Sequence, residues 1–261
     1  MLRQWHKPLT IVISPEGVAM PASNRNLPGF DDNASASVFS KPWAEVLAEF
    51  ENNAAVIGPN KIKFIISNHY VRYETLSWKL NVFSRQDWQS IAENHMRAVY
   101  GNIIEGWNIN VSMQGYGQPI IISAIDQLLL TRLQTLAQQH NWSIAAVEPA
   151  LMSVTNSYQH KMKKDSWLVI AEPQRIVLAE AKQGVWQRLS VSAPPNGQES
   201  IEVLGLIKRA ISVQNKTKPM DIHFFGKDGF QPNGLLDGIK ITSLVQKNMN
   251  SDTRTIMADL L

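Results

Sequence analysis

Leu9-Thr10-Ile11-Val12-Ile13-Ser14-Pro15-Glu16-Gly17-Val18-Ala19 and, much later, Trp167-Leu168-Val169-Ile170-Ala171-Glu172-Pro173-Gln174-Arg175-Ile176-Val177 are the two stretches whose reading decides the fold. Each is an apolar, largely β-branched run halted at a proline turn and resumed beyond it, which is the pattern of strand, tight turn and strand. Ser14 to Ala19 lies on Glu172 to Val177 without a gap, at an offset of 158 residues (14 to 172). A chain that opens the same unit twice is expected to be internally duplicated, with two α/β lobes meeting near residues 150 to 165.

Outward from the first copy, residues 21 to 40 are loop chemistry, with Pro21, Pro28, Gly29 and many Ser, Asn and Asp. Ser40 is expected to cap a helix with Pro42 in its first turn and Trp43, Val46, Leu47 and Phe50 on its apolar face. Ile62 to Ser67 and Tyr70 to Leu76 read as strands, and Ser84 opens a helix that Gly101 stops. Trp107 to Met113 alternates with period two and is expected to be a strand with one face buried. A strand around Pro119 to Ala124, a helix from Asp126 to His140 and a strand from Trp142 to Val147 complete the first lobe. After a short helix from Ala150 to Tyr158, the second lobe continues past its proline turn with a strand at Val185 to Val191. A helix from Glu199 to about Val213 and a buried strand from Ile222 to Gly226 follow. The expected core includes Ile11, Val12, Ile65, Ile109, Val111, Leu133, Val169, Ile170, Val177, Ile222 and Phe224.

The 261 residues are 44% apolar and 18% charged, enough to bury a sizeable core, and contain no cysteine. That excludes disulfides, a thiol nucleophile and thiolate-bound metal, and it fits a reducing cytoplasm. Leu9 to Ile13 is too short for a signal-peptide core, and no window approaches the ~20 apolar residues of a membrane span. The net charge is only +3. The densest basic run, Lys161-Met162-Lys163-Lys164, reads as a solvated loop rather than a nucleic-acid footprint, and no nucleic-acid partner is expected.

Ile65-Ile66-Ser67-Asn68-His69-Tyr70-Val71-Arg72-Tyr73, then Trp78, Ala124-Ile125-Asp126 and Val147-Glu148-Pro149-Ala150-Leu151-Met152 resemble the actin-like cytoplasmic proteins of bacterial type IV pilus and type II secretion machines, the PilM, MshI and GspL families. The resemblance runs from about Leu9 to Phe225. It implies an actin-like ATPase fold of two ribonuclease-H-like lobes, here 1–160 and 161–261, with a cleft between them. It also implies a place at the cytoplasmic face of an inner-membrane assembly platform, reached through a membrane-anchored partner, and it leaves a homodimer open.

In actin-like ATPases the turn between the first two strands offers backbone N–H groups to phosphate and an Asp to hydrated Mg²⁺. Ser14, Glu16 and Gly17 occupy that turn here. The Asp is absent, Pro15 removes a donor and Glu16 adds a repelling charge. Glu172-Pro173-Gln174 has the same proline defect, and the adenosine-side glycine turn is matched only by Gly226 in Phe225-Gly226-Lys227-Asp228-Gly229. No cofactor is therefore expected, and these four positions would serve ATP and Mg²⁺ only if nucleotide binds at all. The six His are scattered without metal-ligand spacing. Gly115-Tyr116-Gly117 is a lone turn, and no nucleophile elbow or Walker loop appears. Asp126 reads as a helix N-cap. Eight Trp are mostly core candidates. Tyr70, Arg72, Tyr73 and Trp78 mix aromatic and cationic character as interface anchors do, or else the aromatics pack inward with Arg72 held by a carboxylate within the fold. The expected function is a non-catalytic scaffold that binds a platform partner. The alternatives are an ATP-binding actin-like protein or ATPase with diverged phosphate loops, and a small-molecule kinase, which needs the same missing loops.

Overall fold

The computed structural model describes residues 7–21, 41–58, 60–82, 84–214, 221–227, 230, 239–245 and 253–260. Strands β1 (Leu9–Ser14) and β2 (Gly17–Ala19) form the first hairpin. Helix α1 (Trp43–Ala54) leads to β3 (Lys61–Ile66), and β7 (Ser143–Pro149) completes a sheet of order β2-β1-β3-β7. Between β3 and β7 the chain inserts β4 (Val71–Leu76), α2 (Arg85–Tyr100), β5 (Trp107–Met113), β6 (Ile120–Asp126) and α3 (Gln127–Gln139). The inserted strands make a separate antiparallel sheet of order β4-β6-β5. Helix α4 (Ala150–Tyr158) leads into β8 (Ser166–Glu172), β9 (Arg175–Lys182), β10 (Val185–Ser192), α5 (Glu199–Gln214), β11 (Asp221–Gly226), β12 (Lys240–Ser243) and α6 (Thr253–Leu260). The last sheet runs β10-β9-β8-β11-β12.

The duplication seen in the sequence is a duplication of pairing. β1 pairs antiparallel with β2 and parallel with β3, which pairs parallel with β7. In the same senses, β8 pairs with β9 and with β11, which pairs with β12. The turns correspond residue for residue, since Ser14 opposes Gly17 and Glu172 opposes Arg175.

Local chemistry sets the ends of the elements. Ser84 and Asp87 form a reciprocal capping box on α2, and Gly101 at φ +70° ends it. Asp126 accepts the Leu128 N–H at the start of α3, as expected of a cap. Helix α1 follows Pro42 with no side-chain cap bond; Ser40, the expected cap, lies outside the described residues.

Of the expected core, all but Ile109 are buried, and Ile109 is half-buried against the α2 side of the small sheet. β8 divides its side chains between two cores. Leu168 and Ile170 join the first sheet, α4 and the buried Ile256, Met257 and Ala258 of α6, whereas Trp167, Val169 and Ala171 face α5. Among the described residues, no helix is long and apolar enough to cross a membrane.

Candidate functional site

Both proline turns point at the junction of the two large sheets, and in both the polar groups are used by the protein itself. In the first, Ser14 Oγ lies 3.2 Å from the Gly17 carbonyl and 3.4 Å from Glu16 Oε2, so its hydroxyl is spent inside its own turn. Arg254 of α6 donates from Nη1 to the Glu16 carbonyl at 2.7 Å. Gly17, at φ +125°, makes room for it: a Cβ there would stand 2.8 Å from that guanidinium nitrogen.

The second turn is closed from two directions. Gln174, at φ +57°, gives its N–H to the buried Glu199 carboxylate at 3.0 Å, so this turn donor is taken by the protein's own side chain. The Glu172 carboxylate, 3% exposed, accepts from the Ser67 hydroxyl, from the Asn68 N–H at 3.0 Å and from Asn68 Nδ2 at 2.6 Å. Asn68, fully buried, accepts on Oδ1 from the Tyr73 hydroxyl at 2.7 Å and the Leu151 N–H at 3.2 Å. His69 Nε2 donates to the Pro173 carbonyl at 2.7 Å, and Arg175 Nε donates to the Asn68 carbonyl at 3.2 Å. The stretch from Ser67 to Tyr73 is therefore a clamp between the β3 end and the β8–β9 turn. Every buried polar group named here has a partner, which is the condition under which such a network holds a fold together rather than weakening it.

The four residues expected at a docking surface are not brought together as one. Tyr73 is buried in the clamp, because the alternation of β4 turns Val71 and Tyr73 inward. Tyr70 donates its hydroxyl to the Lys41 carbonyl at 2.7 Å, and Arg72 Nη1 donates to the His69 carbonyl at 2.9 Å. Trp78 lies apart, half-buried, with its ring 5.2 Å from those of Trp88 and Tyr116.

A cavity of about 360 Å³ lies elsewhere, between the small sheet and the first large sheet. Asn108 and Asn110 of β5 and Ser123 and Ile125 of β6 form its floor, α3 gives Leu130 and Gln134, and β7 gives Ile144, Val147 and Pro149. β5 and β7 are both edge strands. Unpaired strand edges, carboxamides and apolar walls together suit an extended peptide.

No family profile and no curated protein sequence matches the chain. Solved structures do. A Bacteroides thetaiotaomicron protein described as having an actin-like ATPase fold and unknown function is 12% identical, with a TM-score of 0.54 over 84% of this chain and 81% of that one. The fold is the actin-like ATPase fold. The cytoplasmic domain of EpsL, an inner membrane component of the type II secretion system of Vibrio cholerae, is 10% identical, with a TM-score of 0.57 over 91% of this chain and 90% of that one. PilM, in a PilM–PilN type IV pilus biogenesis complex, is 8% identical, with a TM-score of 0.58 over 91% of both chains. At such identities the likeness is one of fold.

Within this actin-like frame, Gly226 ends β11 at φ +157° and lies opposite Ala171; a Cβ would stand 2.6 Å from the Ala171 carbonyl oxygen. Strand packing therefore requires that glycine. Among the described residues, no group of three or more His, Asp or Glu is placed to hold a metal ion. Arg254 and Glu199 were not singled out in the sequence. Glu199 carries a signal, an acid at a helix start, but only the fold brings it to Gln174.

Burial holds the His69 imidazole below its ordinary value, against the opposite pull of Glu172 and the Pro173 carbonyl, and burial likewise lowers His223. A lowered folded value means that the neutral ring is favoured in the native state. The stability it contributes is present above the unfolded value of about 6.5 and is lost as pH falls below it. The melting temperature is expected to fall as pH drops from about 7 to 5. His69→Gln should remove part of that slope, and an unchanged slope would take His69 out of the account.

Proposed function

We propose that this chain is a non-catalytic scaffold of a pilus-type or type II secretion-type assembly platform. In this reading two ribonuclease-H-like lobes, residues 1–160 and 161–261, are held at the cytoplasmic side of the inner membrane by a membrane-anchored partner. The observation that carries the reading is the internal occupation of both proline turns: Arg254 on the Glu16 carbonyl, Glu199 on the Gln174 N–H, and Glu172 inside the Ser67–Asn68 clamp. In the second turn the Gln174 N–H is spent on Glu199, in the first Arg254 holds the Glu16 carbonyl, and Pro15 and Pro173 offer no N–H at all, so few backbone donors remain for a phosphate. The likeness to the EpsL cytoplasmic domain and to PilM, which forms a complex with PilN, supports the platform role. The cavity lined by Asn108, Asn110 and β7 supports an extended segment of the partner as its occupant.

The test is a search of the neighbouring reading frames for a protein with one membrane span, followed by its co-purification with this chain, using Asn110→Arg. Asn110 is exposed, so the variant should melt as the parent does while capture falls at least about tenfold, near 1.4 kcal/mol. Unchanged capture would remove the groove from the proposal. Calorimetric titration with ATP and Mg²⁺ decides against the second reading, a diverged ATP-binding protein. A dissociation constant at or below about 10 μM, near −7 kcal/mol, would show that the turns still serve nucleotide.

A further inference from the structure

One end of the molecule carries exposed apolar side chains that neither the clamp nor the groove uses. Tyr116, in the β5–β6 loop, is 78% exposed and Leu80, two residues beyond Trp78 in the β4–α2 loop, is 72% exposed. The rings of Tyr116 and Trp78 join the two loops. Met113, the last residue of β5, is 46% exposed beside them. Large aliphatic and aromatic groups gathered at loop tips cost solubility and call for an occupant.

The same end continues into the basic stretch noted in the sequence. Gln114 joins the tip to β10 through two bonds, Nε2 donating to the Trp186 carbonyl at 2.8 Å and Oε1 accepting the Trp186 N–H at 2.8 Å. The β9–β10 turn just before Trp186 is in turn tied to the lysine loop, Gly184 N–H donating to the Lys164 carbonyl at 2.7 Å. Lys79, Lys164 and Lys182 are exposed along this line, and none pairs with a carboxylate among the described residues. Lys163 is spent on Asp221, and Asp165, whose carboxylate accepts the Gln183 N–H, is the acid of this turn.

We propose that this end is a bilayer-contact surface, which seats Leu80 and Tyr116 in the headgroup region of an anionic membrane while Lys79, Lys164 and Lys182 face its phosphates. Charge complementarity chooses the occupant. Unpaired lysines suit a field of phosphates, and tyrosine is a side chain that settles at the polar–apolar boundary of lipid. Leu80 and Met113 favour lipid over nucleic acid, because aliphatic tips gain nothing against a sugar–phosphate backbone. Shallow insertion and surface charge are two weak signals, and together they give reversible attachment. The surface is separate from the groove lined by Asn110, and the proposal stands whether or not that groove holds a peptide.

Flotation of the full chain with vesicles tests it. Binding is expected to vesicles of phosphatidylglycerol and phosphatidylcholine at about one to three, not to phosphatidylcholine alone, and release is expected in about 1 M salt, where the screening length is about 3 Å. Leu80→Ser with Tyr116→Ser should reduce the floated fraction at least about fivefold at an unchanged melting temperature. Lys79→Glu with Lys164→Glu, which touches only exposed charges, should reduce it further, since each lysine lost near the surface weakens partitioning roughly fivefold. Failure of the parent to float with anionic vesicles overturns the proposal, as does undiminished flotation of both double variants. Retention of a single-stranded oligonucleotide without flotation would reassign the surface to nucleic acid. Capture of the platform partner should be unaffected by either double variant, so this surface and the groove can fail independently.

Discussion

Glu172→Ala is expected to lower the melting temperature by roughly 6 to 20 °C. The wild-type carboxylate is 3% exposed and accepts from the Ser67 hydroxyl, the Asn68 N–H and Asn68 Nδ2. Truncation leaves three buried donors without an acceptor, and each orphaned group costs its desolvation rather than the small net worth of a hydrogen bond. An orphaned buried donor costs about 1 to 3 kcal/mol, so three of them, partly relieved by relaxation, cost about 3 to 5 kcal/mol, and a chain of this size loses about 2 to 4 °C per kcal/mol. Asn68→Ala should cost a similar amount, because it strands Glu172, the Tyr73 hydroxyl and the Leu151 N–H together. The double variant should cost much less than the sum, since both changes break one network. Thermal melts by circular dichroism measure all three. A loss below about 1 kcal/mol for Glu172→Ala would mean that water replaces the carboxylate and that the clamp does not hold the sheets together.

The continuous apolar runs of the central strands were legible in the sequence. Ile11, Val12, Ile65, Val169, Ile170 and Val177 announce paired strands because β-branched runs ended by proline have few other uses, and the 158-residue offset proved to be an equivalence of strand register. Helix α6 was not legible. Thr253, Arg254 and Thr255 are buried there together with Ile256, Met257 and Ala258, and polar residues in buried positions do not announce a core helix. Its Arg254 reaches Glu16 across 238 positions, a contact that no local pattern encodes. The clamp was half legible. Ser67-Asn68-His69-Tyr70-Val71-Arg72-Tyr73 is distinctive in the sequence, but Glu172, which accepts from Ser67 and Asn68, lies 105 positions from Ser67, and the mixed polar and aromatic character of the stretch does not say what complements it. A mixed polar and aromatic strand has that appearance whether its complement lies on another protein or on the second half of a duplicated fold. The groove left no motif, because Asn108, Asn110 and Ser123 are ordinary residues until β5 and β6 bring them onto one face.

Gly226→Ala separates a structural glycine from a nucleotide glycine. The φ of +157° at Gly226 is one that side chains rarely adopt, and the added methyl would meet the Ala171 carbonyl oxygen at 2.6 Å, the Phe224 ring at 3.2 Å and the Ala171 methyl at 3.3 Å. The first of these is backbone in the middle of the second large sheet, where β8 is bonded on both sides, so it cannot swing away as a side chain would. Strain at the backbone and overpacking in the sheet each cost about 1 to 3 kcal/mol, which puts the expected loss near 2 to 5 kcal/mol. Gly17→Ala is the internal comparison. Its clash, 2.8 Å, is with Arg254 Nη1, the far end of a long side chain, so the expected loss is smaller despite a φ of +125°. If Gly226 instead kept the backbone open for an adenosine, Gly226→Ala would melt as the parent does and would lose affinity for ATP. Melting curves and ATP titrations of the two variants side by side distinguish these outcomes, since a steric glycine changes the first measurement and a nucleotide glycine only the second.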